Sequence, residues 1–207
     1  MTAITSAGRT ARERARAELT REIKQEARRQ LAAHGAEGLS LRAVARELGM
    51  VSSALYRYFP SRDELLTALI IDAYDALGDT AEAADAGRPP ADIRGRWEAT
   101  CHAVREWALA HPHEYALIYG SPVSGYRAPQ ATVAPATRVA RVAGGQVADA
   151  IAPGVPEPVI ARLLIAWTQL FGMISFELFG QLVGSADPAD AFFGYAVEQM
   201  ADFIGLP

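Results

Sequence analysis

The sequence predicts an all-α fold: an N-terminal three-helix helix-turn-helix module, then a larger C-terminal helical domain. Three observations predict it. Apolar residues recur at three- and four-residue spacing along the chain, and no stretch sustains the alternation of a strand. Gly and Pro punctuate that pattern at Gly35, Gly49, the GRPP of 87–90, Pro112 and the PGVPEP of 153–158. Residues 41–60, LRAVARELGMVSSALYRYFP, read as two short helices about a turn that contains Gly. The chain has 207 residues, half of them apolar, which suits one small module and one core-forming domain. The expected division is 1–65 and 66–207.

The elements follow in order. A first helix runs from about Arg12 to His34, with Leu19, Ile23, Ala27 and Leu31 inward, and Gly35 stops it. Ser40 caps a short second helix whose apolar face is Val44, Ala45 and Leu48. Gly49 ends that helix because it accepts the positive φ of a C-terminal cap. Ser52 and Ser53 offer an N-cap for the third helix, with Leu55, Tyr58 and Phe59 inward. Ala45 is small enough for close helix approach, and Met50 plugs the turn. The S-R-D-E of 61–64 has the form of a capping box and starts a fourth helix, which runs to about Ala84 and links the two domains.

A fifth helix is expected from Asp92 to Ala110, and Pro112 opens a sixth through Tyr119. Residues 120–135 read as loop, and Thr137 to Ala152 as helix. The last two helices are expected from Pro158 to Val183 and from Pro188 to Ile204, with Asp187 as N-cap and Pro188 at the first helical position.

The hairpin of the second and third helices is the motif whose second helix enters the major groove of DNA. Ser52, Ser53 and Ala54 are small, so the helix backbone can lie deep. Their hydroxyls can bond bases or phosphates, and Ala54 can meet a thymine methyl. Capping is an equal reading for Ser52. Tyr56 shares a face with Ser52. Tyr58 reads as core with a polar tip, and Arg57 points to phosphate or to solvent. Arg42, in the first turn of the preceding helix, can reach a phosphate or a base edge. Arg9, Arg12, Arg14 and Arg16 form either a minor-groove arm, an extension of the first helix near the DNA backbone, or a disordered tail with solvated charge.

Charge is distributed in the same sense. Residues 1–62 hold 12 Lys and Arg against 6 Asp and Glu, and the remainder holds 8 against 18. A basic module on an acidic body is the usual footprint of a protein that meets phosphates. One cysteine, Cys101, excludes an internal disulfide framework and fits a reducing cytoplasm. The N-terminus carries no apolar signal-peptide core. Residues 163–184 could span a bilayer by length, but Gln169, Glu177, Gln181 and three Gly interrupt them, so an interface helix is expected rather than a membrane span.

The segment GLSLRAVARELGMVSSALYRYFPSRDELL resembles the DNA-binding domain of TetR-type transcriptional regulators, with LYRYFPSRDELL the most specific part. The resemblance covers about residues 20–70. It implies an all-helical homodimer with a C-terminal ligand-binding domain, usually a repressor. It also implies that Tyr56 contacts the DNA backbone and that Arg62 contacts a phosphate, although Arg62 could instead pair with Asp63. The WTQLFG of 167–172 is similar to a W-x-x-x-H-G pattern of one TetR C-terminal class, with Phe171 where His is typical.

The C-terminal half concentrates Trp97, Trp107, Tyr115, Tyr119, Trp167, Phe171, Met173 and Phe176, with Cys101, Arg105 and Glu177 interleaved. Such a set makes either plain core or an aromatic cavity for a small molecule. The candidate ligand residues are Trp97, Cys101, Arg105, Tyr115, Tyr119, Trp167, Phe171 and Phe176. The last two helices carry apolar faces at Leu163, Trp167, Leu170, Ile174 and Leu178 and at Phe192, Ala196, Met200 and Phe203. The resemblance implies that they dimerise, and intrachain core is the other reading.

No nucleotide-binding or zinc-protease motif is present, Cys101 and His102 are adjacent and diverge on a helix, and His111 and His113 lack further ligands. No enzyme, cofactor or metal is therefore expected. The reading is a cytoplasmic, effector-responsive transcriptional regulator, a repressor by the usual family mode, that binds a palindromic operator as a dimer. The other classes are a helical partner-binding protein without DNA affinity, or an enzyme.

Overall fold

The computed structural model describes residues 11–150 and 156–207. Among these there are ten α-helices and no strand. The chain forms two compact units. One runs through Leu69 and also takes in Val123–Tyr126. The other comprises Ile70–Pro122 and Arg127–Pro207.

In the first unit, α1 (Ala11–His34) buries Ile23, Ala27 and Leu31 and half-buries Leu19. Gly35, at φ 67°, ends it. Ser40 caps α2 (Leu41–Glu47), its Oγ accepting from Ala43 N at 3.4 Å. Gly49 has φ 64°, and Met50 N donates back to Ala45 O at 2.8 Å, closing a Schellman cap. The next helix, α3 (Ser52–Leu55), departs from expectation. Its N-cap is Val51, with extended backbone and no side-chain cap bond, and Ser52 already lies inside the first turn. The Gly49 closure fixes Met50, and the extended Val51 then turns the chain directly into helix. Tyr58 N and Phe59 N both donate to Leu55 O, so the helical path continues past α3 as a turn.

Helix α4 (Arg62–Ala86) starts where Ser61 Oγ accepts from Glu64 N at 3.1 Å. The boundary between the two units falls within it, after Leu69. Val123–Tyr126 is bound to the first unit by two side chains. Ser124 N donates to Glu37 Oε1 at 2.8 Å, and Tyr126 OH lies 2.8 Å from Thr67 Oγ1.

The second unit is built around α5 (Ile93–Ala110), capped by Asp92 Oδ1 on Gly95 N. It packs against α6 (Pro112–Tyr119), α8 (Arg138–Ala150), α9 (Glu157–Leu178) and α10 (Ala189–Ile204). The stretch expected to be loop contains a 3-10 turn, Gln130–Thr132, leading into α7 (Val133–Ala136). Leu77, Trp97, Tyr115, Ile174, Phe193 and Ile204 are essentially inaccessible. Burial of each large apolar side chain contributes about 1.5–3 kcal/mol.

Two helix ends differ from the sequence reading. Helix α9 stops at Leu178 rather than Val183, because Gly180 at φ 76° lets Gln181 N donate to Phe176 O at 2.8 Å. Helix α10 starts at Ala189: Pro188 is its extended N-cap, so Asp187 does not cap it.

Ion pairs tie the helices together. Arg138 reaches Asp75, Asp79 and Glu82 on α4. It lies over Gly78, where a Cβ would fall 2.8–2.9 Å from the Arg138 side chain. Arg96 joins Asp85 to Asp149. Gln146 Nε2 donates to Asp85 Oδ1 at 2.6 Å and to Thr100 Oγ1 at 3.0 Å.

Candidate functional site

The recognition segment presents a definite outer face. Ser53 and Arg57 are exposed, Tyr56 is 41 % exposed, and Ser52 and Ala54 are half-buried. Leu55 and Phe59 are buried and anchor the segment. Arg42, exposed at the start of α2, and Tyr56 line one groove of about 330 Å³ together with Ser40, Ser61 and Arg62. This brings together a guanidinium, a phenol and hydroxyls, the donor types that hold phosphate oxygens.

Arg62 and Tyr58 both make contacts inside the first unit, as one of the readings of each allowed. Arg62 is engaged within the fold: its Nη2 donates at 2.8 Å to Ala36 O, in the turn after α1, and its Nη1 lies 3.6 Å from Asp63. Tyr58 is half-buried beneath Arg16, whose guanidinium lies 4.9 Å from the ring centroid. Arg12, Arg14 and Arg16 belong to α1 itself, not to an extended arm. Arg9 lies outside the described residues.

In the second unit the aromatic residues form one contiguous stack. Tyr119 lies 4.2 Å from Phe171, 5.3 Å from Tyr115 and 6.1 Å from Tyr74, and Trp167 lies 4.6 Å from Phe171. Burial pushes the Tyr119 and Tyr115 phenols above their ordinary range, so both stay neutral. Tyr115 OH donates to Phe171 O at 3.0 Å, with Ser175 Oγ at 2.9 Å.

Other candidate ligand residues serve the core. Trp97 is 2 % exposed and its Nε1 donates to Val197 O at 3.2 Å. Cys101 is buried, and desolvation pushes its thiol well above the ordinary range, which suppresses the thiolate. Arg105 is committed to Glu177, through two hydrogen bonds, and to Asp190. Its donors therefore hold α5 to α9 and α10 and are not a ligand anchor. Phe176 points outward at 52 % exposure. Of the eight, Tyr119, Trp167 and Phe171 form the aromatic stack, and among the described residues their side chains carry no hydrogen-bonding or ion-pairing duty in the core. His102, beside Cys101, packs edge-on to Phe193 with ring centroids 5.3 Å apart.

The expected dimer residues also divide. Leu170, Ile174 and Met200 are covered inside the subunit, and Leu163 and Leu178 are partly buried against the same core. They have little surface to offer a partner. Phe192 and Phe203 are exposed, as are Leu164, Ile165, Phe179 and Tyr195, which the periodicity did not single out. Helix α9 carries exposed Ile160, Leu164, Ile165 and Phe176 as well as buried Ala166, Leu170 and Ile174, so spacing alone could not tell its inner stripe from its outer one. Ile165, Phe192, Tyr195 and Phe203 line a groove of about 330 Å³ between α9 and α10. Helix α9 is also long and apolar enough to cross a membrane.

Comparison with known proteins agrees with this geometry. Residues 23–69 match the family described as bacterial regulatory proteins, tetR family, and residues 97–200 match the tetracyclin repressor-like C-terminal domain. The HTH-type transcriptional regulator Rv1816 of Mycobacterium tuberculosis is 42 % identical over 203 residues, covering 81 % of this chain and 83 % of that protein. The crystal structure of regulatory protein SCO4313 superposes with a TM-score of 0.83 at 36 % identity, covering 93 % of this chain and all of that one. A Rhodococcus sp. RHA1 protein superposes at 0.73 with 27 % identity, covering 99 % of each chain. The matches fall on both the helix-turn-helix and the C-terminal helices, and the two matched families, Rv1816 and SCO4313 are described as regulators. The chain belongs to the TetR family of transcriptional regulators.

Proposed function

We propose that this regulator is a cytoplasmic, effector-responsive repressor that binds a near-palindromic operator as a homodimer. The observation that carries the DNA reading is the groove shared by Arg42 and Tyr56 beside the exposed Ser53 and Arg57. A recognition helix needs backbone contacts beside it to fix its register, while its own small side chains read base edges. A repressor role is supported by a partial relative, the HTH-type transcriptional repressor DrrR1 of Streptomyces coeruleorubidus, 36 % identical over 98 residues that cover 45 % of this chain and 33 % of that protein. The effector is a small apolar or aromatic molecule that inserts against the Tyr119–Phe171–Trp167 stack. Phe171 offers no polar atom there, so shape and apolar area set the affinity.

Selection of bound sequences from random duplex DNA tests the reading. Tyr56→Ala should weaken binding to the selected site by about 1–3 kcal/mol. Compounds that quench tryptophan fluorescence should release the protein from that site. A wild-type protein with no salt-dependent affinity for any duplex would sink the DNA reading and leave a helical partner-binding protein in its place.

A further inference from the structure

Helix α1 is longer than its packing requires. It has 24 residues, yet Ala11 to Glu18 are all exposed and the first fully buried side chain is Ile23. Two helical turns therefore stand beside the recognition segment without contributing to the core. They are not featureless. Arg12 and Arg16 lie four residues apart, on one face. That face borders a groove of about 400 Å³ whose other wall includes Met50, Ala54, Arg57 and Tyr58. No carboxylate lines this groove, although three guanidinium groups do. Convergent like charges are unfavourable unless an anion sits among them.

The placement relative to the recognition segment is specific. Ala54 and Tyr58 are four residues apart, and Tyr56 lies between them, about 200° around the helical path. The groove lined by Arg42 and Tyr56 and the groove lined by Arg12, Arg16 and Arg57 therefore flank the segment on two sides. A helix in the major groove has a sugar–phosphate strand on each side of it. Arg16 is also preset for its task. Its ring contact with Tyr58 and a hydrogen bond from its Nη2 to Arg57 O at 3.4 Å hold its guanidinium at the end of the recognition segment.

We propose that the first two turns of α1 form a second phosphate-binding flank, in which Arg12, Arg16 and Arg57 hold the DNA strand on the side of the recognition helix opposite Arg42 and Tyr56. The proposal rests on the DNA-binding reading above. Arg12 and Arg16 are separated by about 6 Å along the helix axis, so they reach neighbouring phosphates of one strand. These contacts carry no sequence information. They add affinity for every duplex and lengthen the protected footprint of each half-site.

The test compares wild type, Tyr56→Ala, Arg12→Glu and the double variant Arg12→Ala/Arg16→Ala on a selected site and on an unrelated duplex, from 50 to 200 mM salt. Each lost phosphate contact should flatten the log–log salt slope by about 0.9, so the double variant's deficit relative to wild type should shrink about twelvefold over that fourfold salt range. Both arginine variants should weaken the two duplexes alike, and hydroxyl-radical protection should disappear on one flank of each half-site. Arg12→Glu removes an exposed side chain without disturbing the Arg16–Tyr58 contact, so its effect does not depend on the recognition segment shifting. If wild type binds and Tyr56→Ala weakens it while both arginine variants keep the wild-type slope and footprint, the second flank is wrong and the DNA reading stands. If wild type binds no duplex, both fail together.

Discussion

Arg62 shows how one side chain can look like a ligand contact and serve the fold. Its guanidinium donates to Ala36 O across 26 residues of sequence, so Arg62→Ala should lower the stability of the first unit by about 1.5–3 kcal/mol. Urea denaturation followed by a probe in that unit measures this. Full stability with reduced operator affinity would instead assign Arg62 to the phosphate. Titration offers a second test at this scale. Hydrogen bonding by Arg138 holds Glu82 below its ordinary range. Burial alone would raise Asp85, but hydrogen bonds from Arg96 and Gln146 outweigh it and the net shift is downward. A carboxylate depressed in the folded state stabilises it above the unfolded pKa and loses that contribution as pH falls through the folded value. Acidification below about pH 4 should therefore weaken the second unit. Arg96→Met should lower its melting temperature at pH 6 and reduce the further fall between pH 6 and pH 3. Parallel melting curves for the two proteins would show that Asp85 contributes nothing to the acid limb.

Among the elements, α4 carries the sharpest contradiction between local propensity and packing. Gly78 lies in the middle of a helix, where Ala is favoured by about 1 kcal/mol. Its missing Cβ, however, makes the space in which Arg138 crosses to Asp75, Asp79 and Glu82. Gly78→Ala should displace that guanidinium and destabilise the second unit by about 1–2 kcal/mol net. A gain in melting temperature would show that the clamp is worth less than the helix propensity. The sequence alone could not expose this role, because Arg138 is 60 residues away and nothing local marks the pair. What was legible had local causes: the Gly35 and Gly49 stops, the Ser40, Ser61 and Asp92 caps and Pro112 at the start of α6. The misread boundaries at Ser52, Asp187 and Val183 arose where one residue type fits two adjacent cap positions, or where a Gly closes a helix inside an apolar run. The candidate site was legible in the same proportion. Exposed Tyr56, Arg42 and Arg57 followed from helical spacing, whereas the engagement of Arg62 and Arg105 depends on partners brought together only by folding.

For the whole molecule, assembly depends on which apolar surface remains after each subunit has packed itself. Leu164 is 60 % exposed and Phe203 44 %, so Leu164→Arg or Phe203→Arg leaves the subunit core intact. Either should place an unpaired charge in the proposed α9–α10 interface and shift the protein to monomer, as sedimentation would show. Operator affinity should fall with it, because one helix-turn-helix reads a single half-site. Leu170→Arg is a different experiment: that side chain is 3 % exposed within the subunit, so the substitution should unfold it. A monomeric wild type at micromolar concentration, or an unperturbed Leu164→Arg dimer, would remove this interface. Organisation of the coding sequence is also constrained. Because Ser124 and Tyr126 complete the hydrogen bonding of Glu37 and Thr67, the reader of DNA is not encoded by one uninterrupted stretch. A chimera that grafts residues 1–69 onto a foreign regulatory body loses both hydrogen bonds, unless the donor supplies a loop of the same chemistry.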